Sequence, residues 1–436
     1  MMGSSRALPI LLPNIPNQRW SCHSCGNCCR TLVGHLTVDE RSRIDEQNWT
    51  SELGVAPYVS LGRGWALNKH ADGACVFLDE KNQCRIHARF GEAAKPLACR
   101  IFPFSVRATP QGWQAAFRFD CPSATASDGV PLAENRRWLT EVVNALPPEF
   151  ASPGSASRRS SAGEDAVAFG PRERATSDEA EMFSRALLRW FRAREVSIDR
   201  RVVGAAHLAA TLHGATLTKT RGPRFAELLE LLIGALATES AEDVPRSTAR
   251  QRGMLRQIAF VHTEHATLAE ATSGFLARTR KRWIQLRAAR RLRIGRGEVP
   301  VLAGFEGTAR YEDVERVAPD GADSSAVVDL LVRYATARIE SRSIFGEGYY
   351  GWPMFLGLGA LCAAIASVGW LSRFRAACRG SSTFGFEDVA AAIGVVDRAA
   401  TRLPALGTFA ERARITYLFQ GDGLRRLVCD YRLAPG

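Results

Sequence analysis

The stretch Trp20–Arg30, WSCHSCGNCCR, places four cysteines, Cys22, Cys25, Cys28 and Cys29, within eight positions. Two-residue gaps let successive sulfurs turn back toward one centre, and Gly26 permits the positive φ that a tight knuckle needs. Cys75, Cys84, Cys99 and Cys121 follow, so eight of the eleven cysteines fall in the first third of the chain. A disulfide framework would suit a short secreted chain. Here 436 residues are enough for two or three domains with cores of their own, and the opening MMGSSRALPILLPNIPNQRW has its apolar run broken by prolines. We therefore expect no signal peptide, a cytoplasmic setting, and reduced cysteines held as thiolates by metal.

Two metal types suit eight sulfurs. Zinc takes four thiolates in a tetrahedron, and the neighbours Cys28 and Cys29 point in different directions, which suits two sites or leaves one sulfur spare. A [4Fe-4S] cluster is the alternative. The run Cys22-x2-Cys25-x2-Cys28, completed by Cys121-Pro122, has the spacing and Cys-Pro ending of ferredoxin ligation. The spacing is not that of the radical S-adenosylmethionine enzymes. His87, three residues after Cys84, is a further candidate ligand, although we expect a surface or core role for it.

Taken together, CHSCGNCC, CVFLDEKNQCRIH and KPLACRIFPF resemble the CxxCxxCC cysteine-cluster family, often called YkgJ-like and described as zinc- or iron-chelating. The resemblance covers about the first 120 residues. It implies metal binding through Cys22, Cys25, Cys28, Cys29, Cys75, Cys84 and Cys99, with Cys121 as a further member. The flagellin lysine-N-methylase, related to this family, is similar in placing a cysteine cluster before a helical region. That likeness implies S-adenosylmethionine as cosubstrate and a protein as substrate. One element departs from the pattern: where the family runs Arg-Pro shortly before Cys-Arg-x-Phe-Pro, this chain has Arg89-Phe90 and then Lys95-Pro96. Arg100, next to Cys99, is placed to donate to thiolate sulfurs, with a surface ion pair as the alternative.

The remaining sequence divides by pattern. We expect a small α+β cysteine-rich module over 1–146, a disordered linker or insertion over 147–176, and an all-α region over 177–436. In the module, Leu36–Trp49 reads as a helix with Thr37 as N-cap and Glu40 closing a capping box, while Ala74–Leu78 and Trp113–Phe119 read as strands. Glu134–Leu146 reads as a helix stopped by Pro147-Pro148. ASPGSASRRSSAGEDAVAFGPRERA, residues 151–175, has no apolar period. Beyond it, Thr176 and Glu179 form a second capping box. Helices are expected at Ile198–His213, Pro223–Thr238, Ser247–Thr272, Ser324–Ser341, Trp352–Cys378, Phe386–Thr401 and Thr408–Phe419, with an irregular crossing or hairpin over Gly295–Asp323.

Net charge is +12; residues 1–125 hold 14 Lys and Arg against 10 Asp and Glu, a balance that eight metal-bound thiolates would take to −4, so the basic excess then lies outside the module. Arg278–Arg296 holds nine basic residues and no acid. We read it as a solvated helix face whose arginine stems cover apolar neighbours, with phosphate or acidic-partner docking as the alternative. Gly348–Ser372 carries no charge over 25 residues, but its glycines and the helices after it argue for burial rather than a membrane span. For catalysis the signals are few. No phosphate loop, nucleophile elbow or His-Glu-x-x-His pair is present, the His262/His265 pair reads as incidental, and Asp388 and Asp397, on opposite faces of one helix, read as surface groups. The expectation is a cytoplasmic protein chelating zinc or an iron-sulfur cluster through its N-terminal cysteines. A lysine N-methylase and a basic scaffold or nucleic-acid-associated protein are the alternatives.

Overall fold

The computed structural model describes residues 9–109, 111–146, 167–170, 173–238, 244–265 and 267–434. The chain separates into two units, one drawn from residues 1–12, 18–158 and 266–285, the other from 13–17, 159–265 and 286–436. In the first, two small sheets carry short helices between them. Phe104–Thr109 and Gly112–Phe117 form an antiparallel hairpin, and Ile10–Leu11 adds in parallel to its second strand. Gly64–Leu67 is the central strand of the other sheet, antiparallel to both His35–Leu36 and Tyr58–Leu61. Arg19–Trp20 pairs with Val130–Pro131 just before the cysteine knuckle.

The helix after the knuckle runs Val38–Glu46, capped reciprocally by Thr37 and Glu40 as the residue types dictate. Its Ile44 meets Leu36, Trp49, Leu67, Val76, Phe77 and Ile86 in an apolar cluster, with the Trp49 and Phe77 rings edge to face at 5.3 Å. This cluster is what the cysteines lean on. A second aromatic group, Trp20, Phe104, Phe117 and Trp138, secures the hairpin. The strand expected at Trp113–Phe119 is present as Gly112–Phe117. The strand expected at Ala74–Leu78 is not: the segment makes isolated bridges, Lys69 with Cys75 and Leu78 with Cys84, and single backbone bonds such as Val76 N to Asn68 O, because a turn at every few residues leaves no room for a ladder.

The second unit is helical around Met354–Cys378, which is buried along its apolar length. Its neighbours are Ile198–Gly214, Ala249–Thr263, Tyr311–Arg316, Phe386–Ala399, Phe409–Phe419 and Gly423–Asp430. Glycines let them come close. A Cβ on Gly357 would stand 1.8 Å from the Ile344 carbonyl oxygen, and one on Gly369 2.0 Å from that of Tyr431. The uncharged segment is thus the centre of a bundle, and its length and apolarity serve burial. Ser177–Arg192, opened by the Thr176–Glu179 box, packs on Pro223–Thr238 and Ser324–Glu340.

Four expectations need correction. Asp388 and Asp397 are both buried. Asp388 accepts from Arg375, Arg379 and the backbone of Gly385, and Asp397 lies 3.8 Å from Arg338, because Phe386–Ala399 is covered on more than one face. The helix expected over Ser247–Thr272 ends at Thr263, and a separate short helix, Leu268–Ala271, follows with its own cap, Thr267. Tyr311–Arg316 and Gly423–Asp430 are helices where none was foreseen. Of the segment expected to be unstructured, residues 147–166 and 171–172 lie outside the described residues. Val167–Ala168 pairs with Arg174–Ala175, and Phe169 is buried, stacked on Phe355. The Glu173 carboxylate accepts from Leu217 N and Thr218 Oγ1, which ties that ladder down.

Candidate metal centre

Gly26, at φ 71°, is the left-handed residue that turns the chain into the helix Asn27–Thr31, and a Cβ there would stand 2.9 Å from Asn82 Oδ1. The helix is too short to satisfy its own ends. Lys69 Nζ supplies partners at its C-terminus, donating to the carbonyls of Arg30 at 2.7 Å and Cys29 at 3.3 Å, while Asn27 Nδ2 donates to the Asp120 carbonyl at 3.0 Å. The Cys29 carbonyl also accepts from Cys75 N at 3.0 Å. The knuckle and the Cys75 loop are therefore joined through backbone.

Cys75 and Cys84 flank a loop built on Asp79, whose Oδ1 accepts from the amides of Lys81 and Gln83 at 2.9 and 2.7 Å. Cys84 then caps Arg85–Phe90. Cys99 sits in Leu97–Arg100, and the amide that starts this helix, Leu97 N, donates to Glu40 Oε1 at 2.6 Å. One Glu40 oxygen thus completes a capping box and the other places a cysteine. A Cβ on Gly34 would lie 3.5 Å from Cys99 Sγ, so the sulfur rests against bare backbone.

These four segments bring Cys28, Cys29, Cys75, Cys84 and Cys99 close enough to act on one another's charge. The thiol hydrogen bond between Cys28 and Cys29, and then burial, drive the Cys28 thiol far above its ordinary range. Burial pushes Cys75 up to about 11, and burial followed by the charge of Cys75 raises Cys99 further still. Lys69 and Lys95 pull the other way. Burial lowers the ammonium pKa of Lys69, and the neighbouring cysteines restore part of it. Burial thus favours the neutral thiol at Cys28, Cys75 and Cys99, and a bound metal cation would favour the thiolate there in its place.

The other three cysteines stand apart. Cys121, buried at the start of Pro122–Ala126, is raised to about 11 mainly by burial and feels the charge of Cys25. Cys22 and Cys25 are exposed. Their neighbour His23 lies 3.3 Å from Asp128 through Nε2. Among the described residues, no three His, Cys, Asp or Glu side chains already stand together at ligating positions. The chemistry of the donor set fits a thiophilic metal, whereas convergence on one ion still requires the thiols to turn toward it.

Arg100 is 3.7 Å from Glu92 through Nε, and among the described residues it makes no hydrogen bond to a sulfur. His87 is exposed on Arg85–Phe90. His262 is buried and pushed down to about 3 by burial, in a helix remote in sequence from the cysteines. Sequence reasoning missed Lys69, Asn82 and the second role of Glu40. Only Glu40 carried a signal, since its capping box was recognisable without any sign of the bond to Leu97.

Residues 21–122 match the family model CxxCxxCC, described as "Putative zinc- or iron-chelating domain". All eight cysteines of the first third lie inside the matched span. Neither a curated protein nor a solved structure is similar enough to the chain to match it.

Proposed function

We propose that residues 21–122 hold zinc or iron through thiolates of Cys28, Cys29, Cys75, Cys84 and Cys99, with Cys22, Cys25 and Cys121 completing or feeding the site. The observation that carries this reading is the gathering of five thiols from four segments, three of which are held by long-range bonds: Cys75 N to Cys29 O, Leu97 N to Glu40, and Lys69 to the knuckle. Cysteines that only filled a core would not need lysines beside them. Bound there, the metal would supply a Lewis acid or a redox centre according to its identity.

The chain's own residues do the rest. Lys69 and Lys95 offset the negative charge that thiolate ligation builds up, and the apolar cluster around Trp49 limits water. A compartment that keeps thiols reduced, such as the cytoplasm, suits a site of this kind. Lysine methylation with S-adenosylmethionine is a second reading, supported only by likeness of the cysteine pattern in sequence.

Anaerobic purification followed by elemental analysis and an absorption spectrum tests the proposal. The expected result is bound zinc or iron at one or more atoms per chain, lost on Cys75→Ser and retained on Cys362→Ser, whose sulfur is buried in the helical unit. Metal-free protein with every thiol titratable, or equal metal in the two variants, would overturn it.

A further inference from the structure

The helix Phe275–Ile294 turns two apolar faces outward from its axis, only one of which is covered. Ala288 and Leu292 are buried, and Arg256 and Gln257 donate to the carbonyls of Leu292 and Ala289 at 2.9 and 3.0 Å. The opposite face is bare. Phe275 is 76% exposed, Leu276 81%, Trp283 69%, Leu286 65% and Ile294 55%. With about 100° per residue, these five side chains fall within one arc of roughly 100°, centred opposite the buried pair. Of the fourteen large apolar side chains exposed among the described residues, six belong to this one helix when Ile284 is included. Scattered exposure needs no explanation, but a stripe does.

The charge around the stripe is of one sign. Arg280, Arg287 and Arg291 project beyond one edge of the arc, Arg278 and Arg282 beyond the other, and Arg290 and Arg293 stand within it. Among the described residues, only Lys281 of this helix has a carboxylate partner, Glu270 at 2.6 Å. The arginine stems do not cover the apolar neighbours, as the exposures of Leu276, Trp283 and Leu286 show. A nucleic-acid backbone would meet the arginines and leave the tryptophan, phenylalanine and leucines in water. A bilayer with anionic headgroups takes both, the stripe entering the headgroup and acyl boundary while the arginines extend to phosphates and carboxylates.

We propose that the outer face of Phe275–Ile294 is a docking surface for an anionic lipid bilayer, on which the helix lies in plane. The test uses the full-length protein and flotation with vesicles of pure phosphatidylcholine or of phosphatidylcholine with about 30% phosphatidylserine. Binding to the anionic vesicles should exceed binding to neutral ones by at least about tenfold at ~0.1 M salt and fall away near 1 M. The double variant Trp283→Gln with Leu286→Gln keeps the charge and removes the centre of the stripe. Both side chains are exposed, so its circular dichroism should match that of the parent, and it should lose at least about tenfold in vesicle binding. A parallel arm with polyuridine RNA separates the other occupant. Equal capture on neutral and anionic vesicles, binding unchanged in the double variant, or binding to RNA without binding to vesicles would each overturn the proposal.

Discussion

Gly369 and Gly234 make a paired test of whether Met354–Cys378 is the centre of a packed bundle. Both glycines lie inside helices, so in an open environment replacing either with alanine gains up to about 1 kcal/mol of helix propensity. Around Gly234 the space is open, with no atom within 4 Å of an added Cβ. At Gly369 the Cβ would stand 2.0 Å from the Tyr431 carbonyl oxygen, which must retreat by at least 1.0 Å to reach the 3.0 Å limit of real Cβ contacts. It is not free to do so. Tyr431 Oη donates to Glu315, at 2.9 Å from one carboxylate oxygen and 3.0 Å from the other, and Arg373, which donates to Gly369 O at 3.1 Å, also donates to Asp430 O at 3.3 Å. Overpacking of this kind costs about 1–3 kcal/mol, and each hydrogen bond lost with the retreat adds about 1. Gly369→Ala should therefore lose roughly 2–4 kcal/mol net, while Gly234→Ala gains up to about 1. At about 2–4 °C per kcal/mol, the first lowers the midpoint of thermal unfolding by roughly 5–15 °C and the second raises it slightly. Circular dichroism at the helical minimum reads both. A Gly369→Ala protein as stable as its parent would refute the packing argument.

Glu411 gives a pH-dependent counterpart. Burial raises its carboxyl from 4.5 to about 7 although Arg414 pulls it down, so between these values the folded protein holds a proton that the unfolded chain has lost. Stability then falls as pH rises from 4.5 through 7, by an amount on the order of 3 kcal/mol, and Glu411→Gln should flatten that slope in urea titrations from pH 5 to 8. An unchanged slope would mean another group carries it. Lys69→Met removes both bonds to the knuckle carbonyls and the cation beside the thiols. It should weaken metal retention against a competing chelator by roughly 10–100-fold, with Lys69→Arg falling between the two; equal retention in all three would remove Lys69 from the site.

Local chemistry was legible in the sequence, and long-range chemistry was not. Thr37 with Glu40 and Thr176 with Glu179 were read correctly because a capping box is complete within four residues. The left-handed turn at Gly26 was legible for the same reason. The bond from Leu97 N to the far oxygen of Glu40, and Lys69 under the knuckle carbonyls, join segments that no spacing rule connects. Asp388 and Asp397 were misread because opposite faces imply solvent on at least one side only when a helix has a wet face; here Arg338, Arg375 and Arg379 come to meet them. Gly423–Asp430 escaped notice because its entry is made by left-handed Gly421 and Asp422, with no serine or threonine to announce it.

The order of the cysteines along the chain also sets an order in time. Cys22 to Cys29 form an octapeptide with four thiols, complete early in synthesis, whereas Cys75, Cys84 and Cys99 emerge much later. At roughly 5–20 residues per second the interval is several seconds, against loop closure in about 10–100 ns. If the proposed metal site is right, an ion met in that interval would be taken by the octapeptide, and reaching the gathered thiols would then require exchange of one sulfur for another. The exposed Cys22 and Cys25 are the natural first contacts for such a transfer, while the buried Cys75 is not. On this view Cys22→Ser with Cys25→Ser slows loading of the metal-free protein without lowering its final metal content, which stopped-flow absorption with a metal indicator would show; loading at the parental rate would make the two exposed sulfurs bystanders.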